Sequence, residues 1–423
     1  MDPAEKLTVY LVGGAVRDML LGLEVKDRDW VVTGATPDEM LALGFRAVGR
    51  DFPVFLHPQT NEEYALARTE RKVAPGYHGF QFNSDPSVTL EQDLMRRDLT
   101  INAMAMDGDG HVIDPCGGRK DLHYKMLRHV STAFSEDPVR ILRTARFAAR
   151  FADLEFKVDL NTNGLMLHMV RAGEVNALVA ERVWREVQSA LTLDGFPRFI
   201  EVLRDCEALS VILPEVEALF GVPQSPQYHP EIDAGIHVML AIQAAIDDDM
   251  GPREIFAVLT HDLGKALTPK QELPSHRGHE VAGIEPIRAL CDRLRVPKDY
   301  RQLALIVCEF HLQVHRMDEL KPSTVLRLIE AIDAFRNKQR LTEFIHCCRA
   351  DLRGRKGKEQ DPYLQGDKLM RCFRAAASVD AAEIAAGYRN QVAPAGDRIK
   401  ESVRRARISA IKSVLRGANL QNG

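Results

Sequence analysis

Very little in this chain marks a special compartment or a stapled scaffold. No apolar run approaches the ~20 residues that a membrane-spanning helix requires, which argues against a helical membrane protein. The first residues lack the basic start, apolar centre and small-residue cleavage site of a secretory leader. Cysteine is sparse and unpatterned, with seven residues (116, 206, 291, 308, 347, 348 and 372), no C-x-x-C spacing and an odd total. That argues against a disulfide or zinc framework and leads us to expect reduced thiols in a cytoplasm. Aromatic residues are only 6% of the chain, too few for a surface that stacks bases along a single strand. Net charge is −4, so no global basic field announces a polyanion partner, and any such binding must come from local patches.

The composition is otherwise that of an ordinary globular protein, with 45% hydrophobic and 27% charged residues over 423 positions, room for two to four domains. The first ~130 residues alternate strand and helix signals. Strands are expected at Thr8–Val12, Trp30–Thr33, Val54–Leu56, Glu63–Arg68, Ile101–Met106 and Val112–Asp114, with a helix over Val16–Leu21. The segment Glu70–Phe82, with Pro75, Gly76 and Gly79 amid charge, reads as a mobile loop. From Asp137 the texture changes to i, i+3, i+4 apolar spacing, over Ile141–Phe151, Arg182–Leu193 and Phe196–Ala208. A Pro-rich passage, Val222–Gln227, marks a boundary, and seven of the fourteen histidines then fall between His229 and His315. The remainder is helical and Arg-rich.

Three constellations carry chemistry. The first strand runs into Gly13-Gly14-Ala15-Val16-Arg17-Asp18, and about ten residues later comes Asp27-Arg28-Asp29-Trp30. A glycine turn lets backbone N–H groups approach a phosphate, and carboxylates two apart on a strand share a face, with Trp30 on the other. Such hard oxygen donors suit Mg²⁺, which supports phosphoryl chemistry by neutralising charge. Second, Arg96-Arg97 offers planar donors for phosphate, and Asp137, Arg140, Arg143 and Arg146 recur every three residues on one helix. Asp137 before Pro138 also reads as a helix N-cap. Third, His237, the doublet His261-Asp262, then His276, His279 and His311 follow in series, with Asp351 a further candidate ligand. Imidazole and carboxylate together suit a transition metal such as Ni²⁺, Co²⁺ or Mn²⁺.

The run Tyr10–Gly22 with Lys26–Trp30, then Glu63–Arg68, Arg96–Ala103 and Glu136–Phe147, resembles the class II (bacterial) tRNA nucleotidyltransferases, the CCA-adding enzymes. The histidine series resembles the HD superfamily of phosphohydrolases, so the similarity is closest to the branch carrying that domain. The resemblance implies an α+β, polymerase-β-like head with a mixed sheet of five or six strands, an all-α neck and body, and an all-α HD domain. The corresponding ranges are 1–136, 137–225, 226–330 and a C-terminal helical region 331–423. It further implies Mg²⁺ at Asp27 and Asp29 as the catalytic pair, with Glu63 where related polymerases place a third carboxylate. CTP and ATP would meet Gly14, Arg17, Arg97, Asp137, Arg140, Arg143 and Arg146, with Asn102 shaping the site. An Asp137–Arg140 pair matches the amino donor beside a ring-nitrogen acceptor that cytosine and adenine share, so C and A would be selected without a template. Ni²⁺ or another transition metal would sit at His237, His261 and Asp262, with His279, His311 and Asp351 as further ligands, for 2′,3′-cyclic phosphodiester, 2′-nucleotide and phosphate-end hydrolysis. Leu312 departs from the Asp that close relatives often carry after the last histidine.

The implied partner is tRNA, held at its acceptor arm and 3′ end by Arg-bearing helices at 140–150 and 182–185, in a monomer or weak homodimer without membrane attachment. The cationic run Arg398, Lys400, Arg404, Arg405, Arg407, Lys412 and Arg416 fits either phosphate contact or a solvated helix face. Two other readings stay open: a bacterial poly(A) polymerase, which shares the head signature, and an HD-type hydrolase with an inactive head.

Overall fold

A five-residue strand, β1 (Thr8–Val12), ends at a glycine turn and feeds α1 (Gly14–Leu20). The computed structural model describes residues 2–48, 54–72, 80–388 and 396–419. The chain divides into two units, Met1–Ile212 and Leu213–Gly423.

In the first unit β1 is followed by β2 (Asp29–Thr33), α2 (Pro37–Ala42), β3 (Arg46–Val48), β4 (Val54–Leu56) and β5 (Glu63–Leu66). Then come β6 (Thr69–Lys72), β7 (Phe80–Asn83), α3 (Leu90–Met95), β8 (Ala105–Met106), β9 (Val112–Ile113) and α4 (Gly118–His123). Seven strands form one mixed sheet in the order β3-β4-β5-β2-β1-β8-β9. The expectation of five or six fell short by the edge strand β3, whose three residues are too few to show a period in sequence. Within this sheet, among the described residues, β2 and β5 are the parallel pair, which sets Asp29 beside Glu63. Strand alternation separates two cores: Val32, Phe55, Tyr64 and Leu66 pack with Met40 and Phe45 on one face, and Val12, Val31, Ala103 and Ala105 with Leu94 on the other. Trp30 belongs to the first face and stacks on Tyr64 at 5.6 Å.

Three local expectations need correction. Asp27 lies outside the strand, which begins at Asp29, so strand period does not set its direction. The expected strand Ile101–Met106 is instead a 3₁₀ turn, Thr100–Asn102, followed by the two-residue β8. Polar side chains explain this: Thr100 Oγ1 donates to Asp121 (2.7 Å) and Asn102 Nδ2 to Asp98 (3.1 Å), fixing a local turn against the sheet ladder. The segment read as a loop contains a hairpin, β6 against β7, and Pro75, Gly76 and Gly79 lie outside the described residues.

The first unit ends in helices. β10 (Met126–Leu127) pairs with β11 (Lys157–Val158) on either side of α5 (Val139–Arg150), followed by α6 (Leu160–Arg171), α7 (Ala180–Ala190), α8 (Phe196–Asp205) and α9 (Leu209–Ile212). α5 packs against α7 and α8 and buries Ile141, Leu142, Ala145 and Ala148.

The second unit is helical: α10 (Pro214–Glu217), α11 (Ala234–Asp247), α12 (Pro252–Thr260), α13 (His279–Ala282), α14 (Ile284–Leu294), α15 (Lys298–His315), α16 (Pro322–Ala331), α17 (Lys338–Arg353), α18 (Leu364–Ala377), α19 (Ala381–Ala386) and α20 (Gly396–Asn419). Its central element is α12, buried on all sides from Glu254 to Thr260, with α11, α15 and α17 packed around it. The Pro-rich passage lies inside this unit, where Gln224 is buried. α20 packs on α16 and α18, buries Ile411, sets Arg407 over the Phe335 ring at 3.9 Å and leaves Arg404, Arg405 and Arg416 exposed. Among the described residues no helix is long and apolar enough to cross a membrane.

Candidate functional site

Each unit holds a polar centre. In the first, a cleft of about 940 Å³ is lined by all nine expected head residues: Asp27, Asp29, Gly14, Arg17, Arg97, Asp137, Arg140, Arg143 and Arg146. Glu63 lines it too. Asp29 is exposed at the start of β2, yet desolvation by the cleft walls raises its carboxyl above the usual range. Arg97 opposes that shift and Asp27 adds to it. A carboxylate raised by its surroundings, with a second one beside it, is a fitting donor set for a divalent cation.

The turn before α1 depends on Gly13, whose φ is +69° and ψ −124°, a region closed to side chains with a Cβ. A Cβ there would lie 2.9 Å from Arg97 Nη1, so the absent side chain makes room for that guanidinium. Arg97 is aimed by Asp93, a fully buried carboxylate that accepts from Arg97 Nη2 (3.1 Å) with one oxygen and from Arg96 Nη2 (2.7 Å) with the other. Burial alone would raise Asp93, but the two guanidiniums outweigh it and hold it below the usual carboxylate range.

Arg17, expected to meet the nucleotide, lines the cleft but is enclosed. It is only 2% exposed, donates to Asp18 (2.8 Å) and Asn102 (2.5 Å), and lies between the Phe147 and Phe151 rings, 5.1 Å from each centroid. It therefore ties the glycine turn to α5.

The arginines of α5 are likewise held by carboxylates. Arg143 donates to Asp98 (2.7 Å), Arg146 to Glu186 (2.6 Å) and Arg150 to Asp18 (2.8 Å). Arg140 is held by the carbonyls of Ala133 and Arg96, not by Asp137. Asp137 meets the fork of Arg182 on α7, at 3.1 and 2.6 Å, and also accepts from the Val139 N–H, so it caps α5 as expected although the helix opens one residue later. Asp93, Asp98, Arg182 and Glu186 were not singled out from sequence as the residues aiming this set. The pairs span 3 to 45 positions, and spacing alone does not show which acid meets which base.

The second centre gathers every expected ligand. His237 comes from α11, His261 and Asp262 from the end of α12, His279 from α13, His311 from α15 and Asp351 from α17, all buried. Asp351 lies beyond the 226–330 range expected for this domain, because the bundle folds α17 back onto α11 and α12. His261, His279 and His311 each place Nδ1 at 2.7–3.0 Å from main-chain carbonyls, so the N–H sits there and Nε2 faces inward with a free lone pair. His261 Nε2 and both Asp262 oxygens are buried without a well-formed hydrogen bond, although Lys265 Nζ comes to 2.6 Å of Asp262 Oδ2. Orphaned inward donors of this kind fit a transition metal ion. Burial, with His261 nearby, pushes the His311 imidazole down to about 3, keeping it neutral. Sequence reading missed His315, 2.6 Å from Asp351, and Glu231, 3.0 Å from His237 Nδ1, both of which orient ligands. His276 instead bonds Thr268 and the Pro223 carbonyl.

Residues 9–128 match the Poly A polymerase head domain family. The chain is 54% identical to the multifunctional CCA protein of Thioalkalivibrio sulfidiphilus, over 96% of this chain and 98% of that one. It is 58% identical to the same-named protein of Chromobacterium violaceum, over 92% and 94%. Among solved structures, the Bacillus stearothermophilus CCA-adding enzyme in complex with CTP aligns over 99% of this chain and 96% of its own, with TM-score 0.63 and 20% identity, a likeness of fold. The head match alone would suit several nucleotidyltransferases, whereas the relatives align through the histidine-rich unit as well, and the chain belongs to the multifunctional CCA protein family.

Proposed function

We propose that this protein adds the 3′-terminal CCA to tRNA from CTP and ATP, releasing pyrophosphate, and that its histidine-rich unit hydrolyses phosphate esters. The observation that carries the first reading is the meeting of Asp27, Asp29 and Glu63 with Arg97 and the Gly13 turn in one cleft. Asp27 and Asp29 would hold Mg²⁺, which neutralises charge at the α-phosphate and eases ionisation of the attacking hydroxyl. The tRNA 3′-oxygen bonds to the α-phosphorus as the bond to the β-phosphate bridge breaks. Arg97, aimed by Asp93, faces the triphosphate beside Gly13 and Gly14. Arg17 acts by holding that turn against α5. Asp137 and Arg140 present the acceptor and donors that read the cytosine or adenine edge, once Arg182 shares its hold on Asp137. Arg143 and Arg146, already oriented by Asp98 and Glu186, face the remaining phosphate charge.

In the second unit, the imidazoles and Asp262 would hold Ni²⁺ or a similar ion, supplying a polarised water for 2′,3′-cyclic phosphodiesters, 2′-nucleotides and phosphate ends. Incubating tRNA that lacks its terminus with CTP and ATP, separately and together, tests the main reading. Addition of two C and one A supports it; open-ended A tailing favours the poly(A) polymerase reading, and no pyrophosphate release favours an inactive head.

A further inference from the structure

We infer that Phe147 is a positioning residue whose ring aims Arg143 and Arg146 at the triphosphate of the incoming nucleotide. This role rests on the nucleotidyl-transfer reading of the head cleft. Phe147 is buried on α5 and lines that cleft. Three guanidiniums gather round its ring, with Arg146 at 4.8 Å from the centroid, Arg17 at 5.1 Å and Arg143 at 5.8 Å. All three fall within the ~6 Å over which the negative face of an aromatic ring attracts a cation. Arg143 stands one helical turn before Phe147, whereas Arg17 arrives from α1. Phe151 lies nearly parallel to Phe147, 6.2 Å between centroids, and backs the ring from the next turn.

The three cations are not equivalent. Arg17 is spent on the protein: its Nε and Nη2 both donate to Asp18 at 2.8 Å, and its Nη1 donates to Asn102. It forms the fixed side of the cluster. Arg143 and Arg146 each donate from Nε alone, to Asp98 at 2.7 Å and to Glu186 at 2.6 Å. Among the described residues their Nη groups have no hydrogen-bond partner, and both side chains line the cleft. A carboxylate at Nε anchors one edge of a guanidinium but lets its plane swing about that bond. A ring against the face removes this freedom and uses no N–H, so the Nη donors stay available for anionic oxygens. Cations gathered round one ring also repel one another. A further carboxylate would relieve that repulsion only by occupying the donors that phosphate needs. An aliphatic side chain would fill the space and offer the charges nothing.

The test places mono-, di- and trifluorinated phenylalanine at position 147 of the full-length protein. Fluorine keeps the ring's shape and drains its negative face. Calorimetry gives the Kd for CTP, incorporation on tRNA lacking its terminus gives KM and kcat, and urea unfolding gives stability. Kd and KM for CTP are expected to rise stepwise with fluorine count, by about two- to tenfold overall, with a smaller change in kcat. Phe147→Leu, a second route should the fluorinated proteins misfold, should raise KM by about tenfold or more. In an Arg143→Gln/Arg146→Gln background the fluorines should add no further loss, because the ring acts through those two arginines. A Kd and KM indifferent to fluorine count, even with lowered stability, or a fluorine effect that persists without both arginines, overturns the positioning role and leaves the nucleotidyl-transfer reading standing. A parent that neither binds CTP nor incorporates CMP overturns both.

Discussion

The most exposed joint in this account is the single atom missing at Gly13. Replacing Gly13 with alanine forces a Cβ onto backbone at φ +69°, ψ −124°, where strain of this kind costs about 1–3 kcal/mol. The new carbon would stand 2.9 Å from Arg97 Nη1, well inside contact distance. The guanidinium tip is the softer party and swings out, away from the phosphate position. Losing one charge-assisted hydrogen bond then removes about 1.5–3 kcal/mol of transition-state binding, roughly 10- to 150-fold in kcat/KM. Gly14→Ala is the control. Its backbone is ordinary helix, and its nearest neighbour, Arg17 Nη2, is 3.3 Å away, a contact that a few tenths of an ångström relieve. Urea unfolding and single-nucleotide CTP incorporation on tRNA lacking its terminus measure both effects. We expect Gly13→Ala to lose stability and the stated activity, and Gly14→Ala to stay within about threefold, since ~0.6 kcal/mol covers the smaller clash. A Gly13→Ala protein within twofold of the parent, or a worse result for Gly14→Ala, would refute the assignment of the turn to Arg97.

Other outcomes follow from the same geometry. Asp137→Ala should relax discrimination against UTP in single-nucleotide extension more than it weakens Mg²⁺ dependence. Arg182→Ala, which frees the same carboxylate from its fork, should change nucleotide choice in that assay too; intact choice in both contradicts the base-reading role. Asp98 is buried, and although burial alone would raise it, Arg143 together with Asn102 and the Leu99 N–H holds it well below the usual carboxylate range. A folded value depressed in this way contributes stability fully above the unfolded value of about 3.9 and loses it as pH falls from there toward the folded one. Asp98→Asn should therefore unfold at lower urea near pH 7, by about 1–3 kcal/mol given that Arg143 is a third exposed, with the gap narrowing below pH 4. His261→Ala should abolish hydrolysis of 2′,3′-cyclic AMP while CCA addition continues, and joint loss would contradict two separate centres.

What the sequence made legible was local and periodic. The strand-turn-helix over Thr8–Leu20, the amphipathic α5 and the histidine order were visible because each rests on neighbours within about ten positions. That these residues share one cleft was legible as well: Asp27, Asp29, Arg97 and the α5 arginines all line it. Partnership was not. Asp137 looked like the mate of Arg140, three residues on, but tertiary packing delivers Arg182 from α7 to it and gives Arg140 to carbonyls. The enclosure of Arg17 was not legible either, because nothing near it in the chain announces that Phe147 and Phe151 close over it. Ile101–Met106 looked like strand because β-propensity counts side-chain shape and ignores the bonds from Thr100 to Asp121 and from Asn102 to Asp98 that turn the chain.

The central claim is that the carboxylates at the mouth of β2 drive a bounded, untemplated addition to tRNA. Extension of tRNA ending before its first terminal C, with CTP and ATP, by the parent protein and by Asp29→Asn tests it most directly. C, C and A followed by arrest are expected in the parent, and less than about a thousandth of that rate in Asp29→Asn, about 4 kcal/mol of lost transition-state stabilisation. Undiminished addition by Asp29→Asn, or unlimited A tails from the parent, would contradict it.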